Sequence, residues 1–352
     1  MGKLNISFYI NLPSTYIGNM DPITHIASGV LGAQAFRRHF PEARLFTPFC
    51  LLAAWIPDAD IFFNRGNPEW SLLYHRGIST SFFGGFIMAL ALAGIYKLIS
   101  RKTAYWKACA LAFGLICVHI WLDLATSYGT QLLAPFSDHR FTLDALFIID
   151  PIFTLGVITF ILFSLFKSSK SNMITTWGLI FIFAYPVATM AIGSTLEALV
   201  KKQYERSGFT FNEYEFIPDA FTPLYWKVIS REGEEYTLTL VNTFIPGKEY
   251  PMKKGIHADH ALLEKLGRQD SIFTTWEWFA RYPVQETLQT GQGTTILFRD
   301  LRFSSVHPIL SSLFNKGQDT PFTLKAELDE NGDLVSWELN RTTRRFVRQA
   351  ME

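Results

Sequence analysis

Cysteine is scarce in this chain, and Cys50, Cys109 and Cys117 all fall in apolar stretches without CxxC spacing. That excludes a thiolate metal centre and a disulfide scaffold, and leaves the three as reduced packing residues. An excess of one charge is missing too: Lys and Arg total 32, Asp and Glu 31, for a net charge of +1. Such balance supplies no basic footprint for nucleic acid. There is no internal repeat and no low-complexity tract. A convincing signal peptide is also lacking, because Asn11, Pro13 and Ser14 break the short apolar run after Lys3. Met20 directly precedes Asp-Pro-Ile-Thr-His and reads as a natural start, with residues 1–19 as an upstream extension.

What the chain does have is a division of hydropathy. Its 352 residues leave room for about two domains. Residues 45–200 are mostly apolar and aromatic, whereas residues 201–352 carry the charge of an ordinary soluble domain. A first helix is expected from Pro22, with Asp21 as its cap, to Arg37-Arg38-His39. Further helices are expected over about 46–57, 79–98, 107–126, 151–167 and 174–199. The last four approach the roughly 20 residues that a membrane span needs. The expected fold is therefore an α-helical polytopic membrane domain of about five to six helices over residues 20–202, followed by a soluble α+β domain over 203–352. In that second domain, residues 225–229 and 235–241 alternate like strands, 257–282 reads as two helical pieces around Gly267, and 294–303 as a strand. Residues 323–340 read as a hairpin turning at Asn331-Gly332.

Charge segregates between the loops. Those after the first, third and fifth segments carry Arg37, Arg38, Arg44, Lys97, Arg101, Lys102, Lys107, Lys167 and Lys170, against Arg65, Arg76 and Arg140 in the loops between. The positive-inside rule assigns the first set to the cytoplasm, with Lys201 and Lys202 counting slightly against it. Asp21, His25, Asp58, Asp60, His75, His119, Asp123, Asp144 and Asp150 all fall at the opposite ends of the segments. Chance would scatter them over both ends, so a single polar site at the outer face is expected, with the C-terminal domain beside it.

The stretch from His119 to Pro151 concentrates this chemistry. His119, Asp123 and Thr126 share a helix face at i, i+4 and i+7. An ionisable group at mid-membrane costs roughly 2.5–3.5 kcal/mol, so such groups face a polar interior or a functional site. Imidazole mixed with carboxylate suits zinc, manganese or a related divalent ion, and such an ion lowers the pKa of bound water towards about 7. The surplus of acids would allow a two-metal site. Arg76 and Arg140 lie on the site side, where a guanidinium can hold a phosphate. Other readings stay open. Asp21 and Asp150 each precede a proline at a helix start and serve equally as plain caps, and Asp144 can cap a turn. Tyr128-Gly129-Thr130 can be no more than the turn leaving its helix. His257, Asp259, His260 and Glu264 read as an exposed helix face, and Trp276 and Trp278 as packing or membrane-surface residues.

Six ordered motifs carry a resemblance: Met-Asp-Pro-Ile-Thr-His (20–25), Pro-Asp-Ala-Asp (57–60), His-Arg-Gly-Ile-Ser-Thr-Ser (75–81), His-Ile-Trp-Leu-Asp (119–123), Thr-Ser-Tyr-Gly-Thr (126–130) and Ile-Ile-Asp-Pro (148–151). Over residues 20–200 the chain resembles the YdjM-like family of bacterial inner-membrane metal-dependent hydrolases, and its tail resembles that of the longer members. The resemblance implies Asp21, His25, Asp58, Asp60, His75, His119 and Asp123 as metal-site positions. A more distant likeness is to zinc-dependent phospholipase C. The chain departs from the family at Thr80, where many members have a histidine, and this bears on the metal complement. The expectation is a multi-pass inner-membrane hydrolase using a divalent metal, zinc before manganese or magnesium, on a phosphoester of a lipid or other amphiphile. Asp60, Asp144, Arg76 and Arg140 are its expected catalytic residues, with the arginines on the anionic group and a free Asp or a metal-bound hydroxide as base or nucleophile. An ion-coupled transporter and a non-catalytic anchor for a partner-binding domain are the rival readings. Oligomeric state is not legible.

Overall fold

The computed structural model describes residues 22–349 apart from 41–42, 64–66, 168–169, 207–212, 249, 291–292, 308–319 and 342–343. The N-terminal extension, Met20, Asp21 and Arg65 lie outside the described residues.

Helix α1 (Pro22–Phe36) starts on a proline whose fixed φ suits the first helical position, and it ends in a 3-10 turn over Arg37–His39. Helix α2 (Phe46–Trp55) runs into a 3-10 turn, Ile56–Ala59, and the single turn α3 (Asp60–Phe63). A short helix, α4 (Pro68–Tyr74), occupies what reads in sequence as a polar loop. Asn67 caps it, its Oδ1 accepting from Glu69 N at 2.9 Å. Ser81 caps α5 (Phe82–Ile99), and α6 (Tyr105–Leu124) follows. Asp150 caps α7 (Pro151–Phe166), accepting from Ile152 N and Phe153 N at 3.0 Å each. Helix α8 (Ser171–Arg206) contains Pro186.

All six expected apolar helices form, but fewer qualify as spans than the five to six expected. Among the described residues, only α5, α6 and α8 are long and apolar enough to cross a membrane by length and composition. The reason is rise per residue: the ten residues of α2 cover about 15 Å, half of the roughly 30 Å hydrocarbon thickness. Helix α7, at 16 residues, is apolar but short, and α1 has 15. The short helices pack among the long ones. One apolar core joins α1, α2, α5 and α6 through Ala33, Cys50, Ala93 and Ile116, and another joins α1, α6, α7 and α8 through Leu31, Leu122, Val157 and Ile182.

The rest of the chain forms an antiparallel sheet in sequential order: β1 (Glu213–Pro218), β2 (Tyr225–Glu232), β3 (Glu235–Asn242), β4 (Lys253–His257), β5 (Pro283–Thr290), β6 (Gly293–Asp300), β7 (Thr323–Leu328), β8 (Leu334–Arg341) and β9 (Arg344–Gln349). Helices α9 (His260–Gly267) and α10 (Ile272–Phe279) lie between β4 and β5, split near Gly267 as their sequence suggests. The hairpin β7–β8 turns where Gly332 takes φ of +76°, with Asp329 Oδ1 accepting from Asn331 N and Asp333 N. Strands β1, β4, β5 and β9 had not stood out in the sequence.

Bundle and sheet are welded. Leu72 of α4 and Tyr128, just after α6, share one core with Trp276, Phe298 and Leu339. Leu196 and Val200 of α8 pack on Phe216, Trp226 and Val241. Trp226 approaches α8 so closely that a Cβ at Gly193 would lie 2.6 Å from its ring. Gly193→Ala should therefore lower stability by about 1–3 kcal/mol. Gly94→Ala, which meets nothing within 4 Å, should be neutral or stabilising. Thermal unfolding in detergent checks both; equal melting temperatures would contradict the close approach.

Candidate metal centre

The centre is assembled at the end of the bundle where α1 begins and α2 and α6 end. His25 lies one turn into α1. Gly29, one turn further on, lets the backbones of α1 and α2 meet, since a Cβ there would lie 2.9 Å from Ala54 Cβ and 3.0 Å from the Cys50 carbonyl oxygen. That approach delivers Asp58, in the turn that stops α2, towards His25. His119 and Asp123 come from successive turns at the end of α6.

The resulting geometry is compact. One donor atom each from His25, Asp58 and His119 lies within 4.8 Å of the others, and all three residues are buried. The two imidazole rings stack with centroids 3.8 Å apart. His119 Nδ1 lies 2.8 Å from the Ala54 carbonyl oxygen, which can only accept, so Nδ1 carries the proton. Nε2 is then left with its lone pair, 3.5 Å from Asp58 Oδ1 and 3.3 Å from Asp123 Oδ2. Asp123 Oδ1 lies 3.4 Å from His25 Nε2 and 3.1 Å from Arg76 Nη2.

The donor set fits a divalent cation. His25 Nδ1, His119 Nε2, Asp58 Oδ1 and both oxygens of Asp123 are buried without a well-formed hydrogen bond, a costly arrangement for polar atoms unless another ligand satisfies them. Two imidazoles with carboxylate match zinc and its neighbours. Arg76 pairs with Asp123 and not with Asp58, so the two carboxylates leave the cluster with negative charge to spare. Three protein ligands would leave a coordination position open, as catalytic rather than structural zinc sites do.

Arg76 organises the wall beside the cluster. It is 1% exposed and takes φ of +56°. Its Nη1 donates to the Asp123 carbonyl oxygen at 2.7 Å and to Thr126 Oγ1 at 2.6 Å. A cavity of about 30 Å³, room for a water, is lined by His25, Arg76, Asp123, Thr126, Phe147 and Asp150 among others.

The other expected site residues fall elsewhere. Asp60 and His75 pair with each other, His75 Nδ1 lying 3.0 Å from Asp60 Oδ1. Asp60 Oδ2 also accepts from Arg76 N and Ser79 Oγ. This carboxylate therefore holds the turn that presents Arg76, beside the compact donor group. Arg140 is turned towards backbone, donating to the carbonyls of Gly129, Leu72 and His75 and lying over the rings of Tyr128, Trp278 and Phe279. Burial pulls its pKa down to about 10, which leaves it cationic at neutral pH. Asp144 pairs with Arg281 of the sheet domain at 2.6 Å and accepts from Thr142. Asp150 caps α7 and lines the cavity. Thr80 is buried, its hydroxyl donating to the Gly77 carbonyl. Two contributors had no signal in the sequence: the Ala54 carbonyl, which is backbone, and Arg302. Arg302 reaches across 174 positions to donate to the Tyr128 carbonyl at 3.0 Å and steadies the loop after α6.

Fold and cluster together define a helical membrane protein with a buried imidazole–carboxylate centre. The profile of the YdjM inner membrane protein family matches residues 20–195, and the chain belongs to that family. No curated protein and no solved structure matches the chain.

Removing one partner of a buried pair leaves the other uncompensated. Arg76→Met should therefore cost about 3–5 kcal/mol of unfolding free energy, whereas breaking the exposed, solvent-screened Arg268–Glu264 pair should change stability far less. Equal effects in chemical unfolding would show that Asp123 does not depend on Arg76.

Proposed function

We propose that this protein is a membrane-embedded, metal-dependent hydrolase acting on a phosphoester of a lipid or another amphiphile. The observation that carries this reading is the buried convergence of His25, Asp58 and His119, with mutually unsatisfied donor atoms, beside an arginine-walled cavity. His25, Asp58 and His119 would hold the ion, with zinc favoured by the two imidazoles. A divalent ion bound there supplies Lewis acidity. Asp123 aligns the His25 imidazole through Nε2, and the Ala54 carbonyl fixes the tautomer of His119. Arg76 supplies positive charge beside the cluster, which favours the anionic group of a phosphoester there. Asp60 positions Arg76 through its backbone N–H and through His75. The basic loops assign the opposite end of the bundle to the cytoplasm, so the centre and the sheet domain would lie at the outer face and draw substrate from that leaflet.

Metal analysis and hydrolysis test this together. Wild-type protein purified in detergent should carry a divalent ion. His119→Ala and Asp58→Asn should lose affinity by more than the roughly 10–100-fold that substitution of outer hydrogen-bond partners costs. Both variants should lose hydrolysis of a phosphodiester lipid analogue in parallel. Equal, negligible metal in all three proteins ends the metal reading. Full metal with no turnover on phosphoester, carboxyl ester or amide lipids ends the hydrolase reading.

A further inference from the structure

A second concavity opens towards the opposite end of the bundle and shares no lining residue with the metal centre. It opens between α1, α6 and α8, with a volume of about 460 Å³. Its walls are apolar: Ala110, Leu111, Gly114, Val118, Leu179 and Phe183. Its mouth is different, formed by His39 in the turn after α1 and by Trp106 and Lys107 in the first turn of α6. Lys107 Nζ lies 5.7 Å from the Trp106 ring, a pairing typical of the headgroup level.

Small side chains create the trench. Ala110 and Gly114 are one turn apart on α6, and a Cβ added at Gly114 would meet nothing within 4 Å. The length is informative. From Lys107 to Val118, α6 rises about 16 Å, which is one leaflet of a roughly 30 Å hydrocarbon core. An opening one leaflet deep, apolar throughout and cationic only at the headgroup end, is complementary to one kind of molecule already present around these helices.

We propose that this groove is a binding site for an anionic diacyl phospholipid, with an acyl chain along α6 and the phosphate at Lys107 and His39. Apolar contact alone confers little preference inside a bilayer, because lipid tails are as apolar as the groove. Selectivity therefore rests on the charge at the mouth, as in basic pockets between membrane helices that hold anionic headgroups. Arg38, exposed in the same turn as His39, adds to the positive field there. This site is independent of the hydrolase reading and shares no side chain with the metal centre.

Titration of delipidated full-length protein with phosphatidylglycerol and with phosphatidylcholine, followed by native mass spectrometry, tests the proposal. Wild type should bind phosphatidylglycerol in preference. Lys107→Ala should weaken phosphatidylglycerol about fivefold and leave phosphatidylcholine unchanged. Gly114→Leu, which fills the trench where there is open space, should weaken both lipids and keep their ratio. Neither variant should alter the far-UV circular dichroism of the protein in detergent, which reports that each is folded. Equal binding of the two lipids by wild type overturns the proposal, as does a phosphatidylglycerol preference that survives both substitutions.

Discussion

The arrangement depends most on how Asp123 is kept charged inside an apolar bundle. Moving a carboxylate out of water costs several kcal/mol even after the protein relaxes. Asp123 is fully buried, and the cost is offset by a guanidinium at 3.1 Å and by the His25 imidazole at 3.4 Å. Those partners come from α1 and from the turn after α4, while Asp123 itself stands on α6. Satisfying one carboxylate therefore obliges three distant parts of the chain to meet at one level. Asp58 joins from the end of α2 and leaves the group with surplus negative charge, the condition under which a cation is welcome.

The sheet domain continues this logic. Its arginines act as bolts across the boundary: Arg281 pairs with Asp144, and Arg302 holds the carbonyls after α6 while pairing with Asp300. Apolar contact does the same through Tyr128 and Leu72, which sit in a core otherwise built from sheet-domain residues. Arg140 lies over Tyr128 and Phe279 and ties together the carbonyls of Leu72 in α4, His75 and Gly129. The loop from 125 to 150 is thus fixed from both sides, and the wall of the metal centre is a product of both halves of the molecule.

How much was legible in the sequence follows from the physics of each feature. The helices were legible because long apolar runs end in strong signals: Pro22 at one start, Asp150-Pro151 at another, and the 3-10 turn around Pro57 at a stop. Their role as spans was less so. Apolar composition marks burial in protein as readily as burial in lipid, and α2 is too short for the latter. The acids and histidines were legible as a group at one end of the bundle, but their division was not. Asp58 and Asp60 are two residues apart, yet the turn sends one to His119 and the other to His75. Arg76 and Arg140 have the same chemistry in sequence, and only the former lines the cavity.

The amino-acid order by itself determined which segments are apolar, where they begin and stop, and at which end the ionisable groups collect, because these follow from local hydropathy, capping and helical period. Tertiary structure alone decided which of those groups share a centre. Partnership across 65 or 174 positions depends on the close approach at Gly29, the carbonyl of Ala54 and the reach of Arg302, none of which leaves a local pattern.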